Sequence, residues 1–412
     1  MKTRSTAHHT ATAALVGALL ILAACGLAAC GGDDSATPGP TVTVTVAPSA
    51  SGSGKASGSP SPKATVAAKK QLAIAAASGA KANGISILSS TGAVKQLVAP
   101  KAGVIADLAW APDAARLAYV QAKSMSTGNG LVMVYDLASA SAKPVLIGGA
   151  KPYAVAGFTW VAPTRMIVAA FTAKGTTWQT NATMFLCDVA AGTSKVAKDS
   201  GGATIKGVWP SASADSTAVA FVRFGSTSGS DKVQDLMLFD SDTLKVKKVA
   251  HGSVSTDYDS DAFGLPLISP DGSLIYTVAH GSDIGFSCTV YKVAGGKALK
   301  TGQMVYPCNG SWDAGSGRLA FGGGPGSGSG LVDGINVWKP GSTSAEMILS
   351  YKKLYISSLA WTPKGKQIVF SKSKSYPMNS DLWVVNADGS SPHLLLKNGS
   401  EPACAEAPIS FK

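Results

Sequence analysis

From residue 71 onward, short apolar runs alternate with polar positions and break at Pro, Gly or Asp. A period of two bounded by such residues predicts β-strands joined by tight turns. One phrase recurs. Trp110-Ala111-Pro112-Asp113 precedes the apolar run 116–120, and Trp160-Val161-Ala162-Pro163 precedes 165–168. Trp209-Pro210 precedes 217–221, Ile268-Ser269-Pro270-Asp271-Gly272 precedes 273–276, Trp312-Asp313 precedes 318–321, and Trp361-Thr362-Pro363 precedes 367–370. These anchors stand at 110, 160, 209, 268, 312 and 361, spaced by 50, 49, 59, 44 and 49 residues, and hold five of the eight tryptophans. Each is followed by a second pair of alternating runs, clearest where Asp381-Leu382-Trp383-Val384-Val385-Asn386-Ala387-Asp388-Gly389 leads into His393-Leu394-Leu395-Leu396. Four strands per 45–50 residues is the size of a propeller blade.

The Trp/Ser-Pro-Asp-Gly turn, a Leu-Ala-Phe-like strand and the Asp381–Gly389 phrase resemble the WD-like repeat of TolB-type β-propellers, over about residues 71–412. The resemblance implies an all-β propeller and says little of function, because this repeat serves many roles. Those relatives carry a further N-terminal α/β domain that is missing here, which weighs against a Tol-system role. Six anchors make six full units. Strands over 71–75, 85–92 and 94–98 make three quarters of another, and one more period after Trp361 lands near 410. The expectation is therefore seven blades, with Pro408–Phe411 supplying the missing inner strand, so that both termini close one blade and leave no open edge. Six blades with an N-terminal appendage is the alternative.

The N-terminus changes the address. Lys2 and Arg4 precede an apolar run over 11–24 that is too short to span a bilayer and reads as a secretory signal. Leu22-Ala23-Ala24-Cys25 and Leu27-Ala28-Ala29-Cys30 both resemble the bacterial lipoprotein box, whose cysteine is acylated. Cys30, with Cys25 as the other choice, gives a signal peptide over 1–29 and a chain held to the outer leaflet of the cell membrane by its acyl anchor. Residues 30–70 are almost wholly Gly, Ser, Thr, Ala, Pro and Val. They bury too little to offset chain entropy and are expected to form a disordered stalk. The domain follows over 71–412. Export also suits Cys187, Cys288, Cys308 and Cys404, which allow two disulfides in three pairings; Cys288 with Cys308 closes the shortest loop.

Candidate chemistry is sparse. The loops between second and third strands, and between one unit and the next, are long, and long loops on a rigid scaffold are where binding resides. They carry Trp178, His251, Asp257, Tyr258, Asp259, Asp261, His280, Phe286 and Tyr376. Asp257, Asp259 and Asp261 have the spacing that opens a calcium loop, but Ala262 and Ile268 stand where that loop needs Gly and Glu. No metal or cofactor is expected beyond that partial match to a calcium loop, and no GxSxG elbow or phosphate-binding Gly-Lys-Ser/Thr occurs.

The net charge is +12, of which about +8 remains in 71–412, with lysine clusters at 245, 247, 248 and at 364, 366, 372, 374. Such patches attract anionic polymers or headgroups. Only five arginines occur, and export argues against nucleic acid. The expected role is a monomeric, non-enzymatic binding or scaffold module for a protein or anionic cell-envelope polymer. A glycan lyase or glycosidase, or a ligand sensor for a membrane signalling protein, is the alternative. A glycosidase would need two facing carboxylates, and the sequence shows no partner for the 257–261 group.

Overall fold

The computed structural model describes residues 73–78, 84–89, 94–98, 103–122, 129–147, 153–171, 181–225, 232–254, 262–280, 286–305, 310–323, 332–352, 354–374 and 380–405. Among them there is one turn of 3₁₀ helix, Pro363–Gly365, and the remaining elements are strands in antiparallel ladders. No helix among the described residues is long and apolar enough to cross a membrane.

The strands pair in fours. Unit 2 is Val104–Trp110, Arg116–Ala122, Asn129–Asp136 and Ser141–Pro144; unit 3 is Tyr153–Ala162, Arg165–Phe171, Ala182–Asp188 and Thr193–Val196. Unit 4 is Lys206–Ala212, Ala218–Phe224, Lys232–Asp240 and Val246–Val254; unit 5 is Ala262–Ile268, Leu274–His280, Phe286–Lys292 and Ala298–Val305. Unit 6 is Ser311–Trp312, Leu319–Gly322, Val332–Trp338 and Glu346–Lys352; unit 7 is Tyr355–Trp361, Gln367–Ser373, Asp381–Asn386 and His393–Leu396. Unit 1 takes Gly399–Cys404 as its first strand, followed by Ala73–Ser78, Gly84–Ser89 and Val94–Val98. Short ladders, Gly130↔Tyr153 and Ala182↔Gly207, join units 2, 3 and 4 into one twelve-stranded sheet.

The second strands are the most deeply buried. Leu117, Met166, Val219, Ile275, Leu319 and Ile368 are all at most 0 % exposed, and they form the floor on which neighbouring sheets stack. The core falls into several clusters, each shared between adjacent units.

First strands from unit 1 to unit 7 are tied in order by one rule, and a different bond links unit 7 to unit 1. The residue just before an anchor offers its neighbour either a carbonyl or a hydroxyl. Where it is Ala or Leu, the next unit's tryptophan donates its indole N–H: Trp110 to Ala403 O (3.0 Å), Trp160 to Ala109 O (3.1 Å), Trp312 to Leu267 O (3.0 Å). Where it is Ser or Thr, the next anchor's backbone N–H donates instead: Ala212 to Thr159 Oγ1 (3.1 Å), Ile268 to Ser211 Oγ (3.3 Å), Trp361 to Ser311 Oγ (3.1 Å). The backbone N–H of Glu401 donates to Ser358 Oγ at 3.2 Å, which links unit 7 to unit 1.

Two expectations shift. The anchor of unit 4 is Ala212, which pairs with Val219 as Trp110 pairs with Leu117; Trp209 stands three residues earlier, in a bulge. The strand that joins the N-terminal segment is Gly399–Cys404, with Ile74 opposite Cys404. It comes early because only Lys397 and Asn398 separate it from His393–Leu396. Pro408–Phe411 lies outside the described residues.

Candidate functional site

Most described aspartates are spent on their own turns. Asp136 accepts from Ser139 N, Asp215 from Ser213 Oγ and Thr217 N, Asp240 from Thr243 N, and Asp388 from Ser390 Oγ and N. These bonds hold all four carboxyls below the ordinary range. Burial opposes this at Asp271 and Asp313, but hydroxyl bonds from Ser269 and Ser316, with Arg318 beside Asp313, prevail and lower both. A carboxylate bonded in this way is a fastener of the fold.

Two acids shift the other way. Asp107 and Glu401 occupy bulges of first strands in units 2 and 1, three residues before Trp110 and Cys404, with φ of 55° and 50°. The Asp107 N–H donates to Glu401 Oε2 at 2.7 Å. Burial raises Asp107 above its usual value. Burial, then the Asp107 charge, push Glu401 up to about 8, against the opposing pull of that hydrogen bond. Asp107 is open to solvent and Glu401 half-buried, so water reaches a pair that protein nonetheless crowds, as in a narrow wet passage.

In unit 7 the residue three before the anchor, Ser358, is paired with Ser371 rather than bulged, and their hydroxyls lie 2.5 Å apart. Beyond Asp107 the same position is Gly157, then Trp209, then Leu265, with φ of 123°, 55° and 38°. Gly157 is required: a Cβ there would stand 3.1 Å from Pro210 Cδ and from Trp209 Cα. Trp209 is half-buried, its ring edge-on to Phe224 at 6.3 Å. The bulge positions therefore run from polar in units 1 and 2 to apolar in units 4 and 5. Near neutral pH a protonated Glu401 beside Asp107 offers a donor and an acceptor side by side, a pairing suited to hydroxyl, amide or ammonium groups.

A second cluster lies on unit 4. Arg223, Asp235 and His251 stand opposite one another on three adjacent strands. Asp235 Oδ1 meets His251 Nδ1 at 2.8 Å and Lys248 Nζ at 3.6 Å, and Oδ2 meets Arg223 Nη2 at 3.3 Å. Burial alone would raise Asp235, but the bonds from His251 and Arg223 and the Lys248 charge bring it below its usual value.

Of the residues singled out by sequence, His251 belongs to this cluster. His280 and Phe286 are cross-strand partners at one end of unit 5, and their side chains lie outside the described residues. Trp178, Asp257, Tyr258, Asp259, Asp261 and Tyr376 lie outside them altogether, as do Cys25, Cys30, Cys308 and the side chain of Cys288. The favoured Cys288–Cys308 pairing thus lies outside the described residues, and of the four cysteines Cys187 takes no part in a disulfide. It is a free thiol, fully buried in the core of units 2 and 3, and burial pushes it up to about 12. Cys404 packs with a different cluster, so these two cysteines are not brought together. In the second lysine cluster, Lys372 is not a free surface charge. Its Nζ lies 3.3 Å from the Trp383 ring centre and 4.3 Å from that of Tyr351, and burial lowers its pKa.

Sequence reading missed Asp107 and Glu401. Their signal was positional: each stands three residues before an anchor, but one of those anchors, Cys404, is recognisable only once its strand is placed. Among the described residues no group of three His, Cys, Asp or Glu is placed to hold a metal ion.

No protein-family model matches the sequence, and neither does any curated protein. Solved structures do resemble it. The β-propeller domain of the trilobed protease from Pyrococcus furiosus aligns with a TM-score of 0.52 at 13 % identity, over 80 % of this chain and 96 % of that one. An oligogalacturonate lyase in complex with manganese gives 0.53 at 13 %, over 80 % and 86 %. TolB from Acinetobacter baumannii gives 0.47 at 16 %, over 82 % of this chain and 66 % of that one. The fold is a β-propeller.

Proposed function

We propose that the chain is an exported, lipid-anchored β-propeller lipoprotein of seven four-stranded blades. Its propeller acts as a binding module for a protein or an anionic cell-envelope polymer outside the cell membrane. The blade count rests on the strand groups and on the run of hydrogen bonds that leads from unit 1 through unit 7 and back to Glu401. The address rests on the Lys2–Cys30 pattern and the stalk composition.

The observation that carries the binding reading is the placement of Asp107 and Glu401. They are raised, water-reachable acids on the first strands of a scaffold most of whose other described aspartates are bonded within their own turns. They offer hydrogen bonds to hydroxyl, amide or ammonium groups of a partner entering between the first strands, while attraction of an anionic polymer rests on the lysine surplus. The same pair favours a second reading, an enzyme acting on envelope glycans, because a carboxyl pushed up to about 8 beside a second acid can serve as a general acid. Binding is preferred because the contact that joins the two residues ties the Glu401 carboxyl to the Asp107 backbone amide, whereas a glycosidase's acid is aimed at the scissile bond between two carboxyls.

The test is retention of the mature chain on native envelopes at two salt concentrations, beside Glu401→Gln and Asp107→Asn. Retention that both variants weaken supports the reading. Retention unaffected by either removes the acid pair from it. Glycan cleavage that both abolish would replace binding with catalysis.

A further inference from the structure

Asp235 is only 10 % exposed at its side chain, whereas its three partners reach out: Arg223 is 42 % exposed, Lys248 52 % and His251 56 %. One buried negative charge thus organises two permanent positive charges and an imidazole. A buried carboxylate is tolerated when paired and hydrogen-bonded, and here the pairing is in excess. The cluster carries a surplus of one positive charge with His251 neutral and two with it protonated.

Three strands set the geometry. The ladder places Arg223, Asp235 and His251 in one row on one face of the sheet. A bulge beside Leu236 and Met237 puts Lys248 opposite Met237, which brings it onto that same face. The row is braced on both flanks. Asn181 of unit 3 clasps the Phe224 backbone, accepting from its N–H at 2.8 Å and donating to its carbonyl at 2.6 Å. Gln234 accepts from Phe263 N–H of unit 5 at 2.6 Å. Asp235 orients the bases: with Nδ1 directed at the carboxylate, His251 turns Nε2 outward, and Arg223 uses only Nη2 among the described residues. The remaining guanidinium donors and the Lys248 ammonium are left on the exposed side of Asp235, and His251 Nε2 joins them as a donor when the ring is protonated.

From this arrangement we infer that Arg223, Lys248 and His251, held by Asp235, form a binding site on unit 4 for a phosphate-type oxyanion. The planar Arg fork suits paired oxygens and the lysine adds a point charge. The exposed Lys245 and Lys247 add positive charge to the same edge strand, Lys247 from its other face, so a phosphodiester polymer can lie along this edge. The inference deepens the binding reading above by naming its ligand chemistry, and rests on it only for that polymer source.

The test titrates inorganic phosphate, and separately poly(glycerol phosphate), into the full mature chain, following the ¹⁵N signals of His251 and of Arg223 Nε. Saturable shifts at both residues are expected, with affinity about 5-fold weaker in Lys248→Gln and unchanged in Lys195→Gln on unit 3. Arg223→Gln leaves Asp235 short of a partner, so Lys248→Gln, which alters an exposed group, is the deciding variant. Binding of inorganic phosphate alone assigns the site to a small anion, and binding of the polymer as well assigns it to an envelope chain. Absence of shifts at His251 and Arg223, or equal weakening by Lys195→Gln, overturns the inference. If envelope retention persists in that case, the binding reading stands without this site; if the shifts occur and retention fails, the site stands without that reading.

Discussion

Replacing Glu401 by Gln is expected to change how stability depends on pH. Glutamine keeps the shape and the oxygen that accepts from Asp107 N–H, and removes the ionisation. Glu401 titrates near 8 in the folded chain against 4.5 ordinarily. Between those values the unfolded chain has lost the proton and the folded chain still holds it. The folded state binds more protons, so stability falls as pH rises through this window and levels off above 8. At about 1.4 kcal/mol per pH unit the displacement sets a ceiling of ~5 kcal/mol. Water reaching the pair screens it, which brings the expected loss to about 2 kcal/mol. The assay is urea unfolding followed by tryptophan fluorescence at pH 5, 6.5 and 8.5, for the wild type and Glu401→Gln. Groups remote from position 401 are common to both proteins, so their contribution cancels in the difference. The variant should match the wild type near pH 5 and exceed it by about 2 kcal/mol at pH 8.5. Parallel curves, or a variant less stable at pH 8.5, would refute the claim that Glu401 is held protonated beside Asp107.

Three further outcomes follow from single contacts. Trp160→Phe strands the Ala109 carbonyl and should cost about 1–3 kcal/mol in urea unfolding, with no change in the far-ultraviolet spectrum. Cys187 should resist maleimide labelling in the native chain and label only in denaturant, read by peptide mass mapping; rapid native labelling would contradict its burial. Gly365→Ala should destabilise by more than 2 kcal/mol, read as a lowered melting temperature. Gly365 has φ of +60°, and a Cβ there would collide with the Asp313 carboxylate of unit 6.

Strand positions were legible because the local signals agree. Alternation, Pro-Asp-Gly turns and the anchor tryptophans all act over a few residues, and the third strands of units 2 to 7 lie where the pattern placed them. Trp209 misled because an aromatic at a bulge and an aromatic at an anchor look alike in sequence. The pairing with Val219 separates them, and with Ala212 as anchor the spacing becomes more even. The disulfide expectation treated four cysteines as one set, whereas burial puts Cys187 alone in a core layer. The lysine clusters were legible as charge, but not the aromatic rings that hold Lys372.

The sequence by itself determined the repeat and the all-β class. These are consequences of residue type and period, which a linear chain carries directly. Tertiary structure alone decided the acid pair and the charged row on unit 4. Asp107 and Glu401 are 294 residues apart in sequence and meet only because Gly399–Cys404 returns to pair with Ala73–Ser78. Burial, mutual repulsion and the surplus of bases around Asp235 depend on distance through space, and no local pattern encodes that distance.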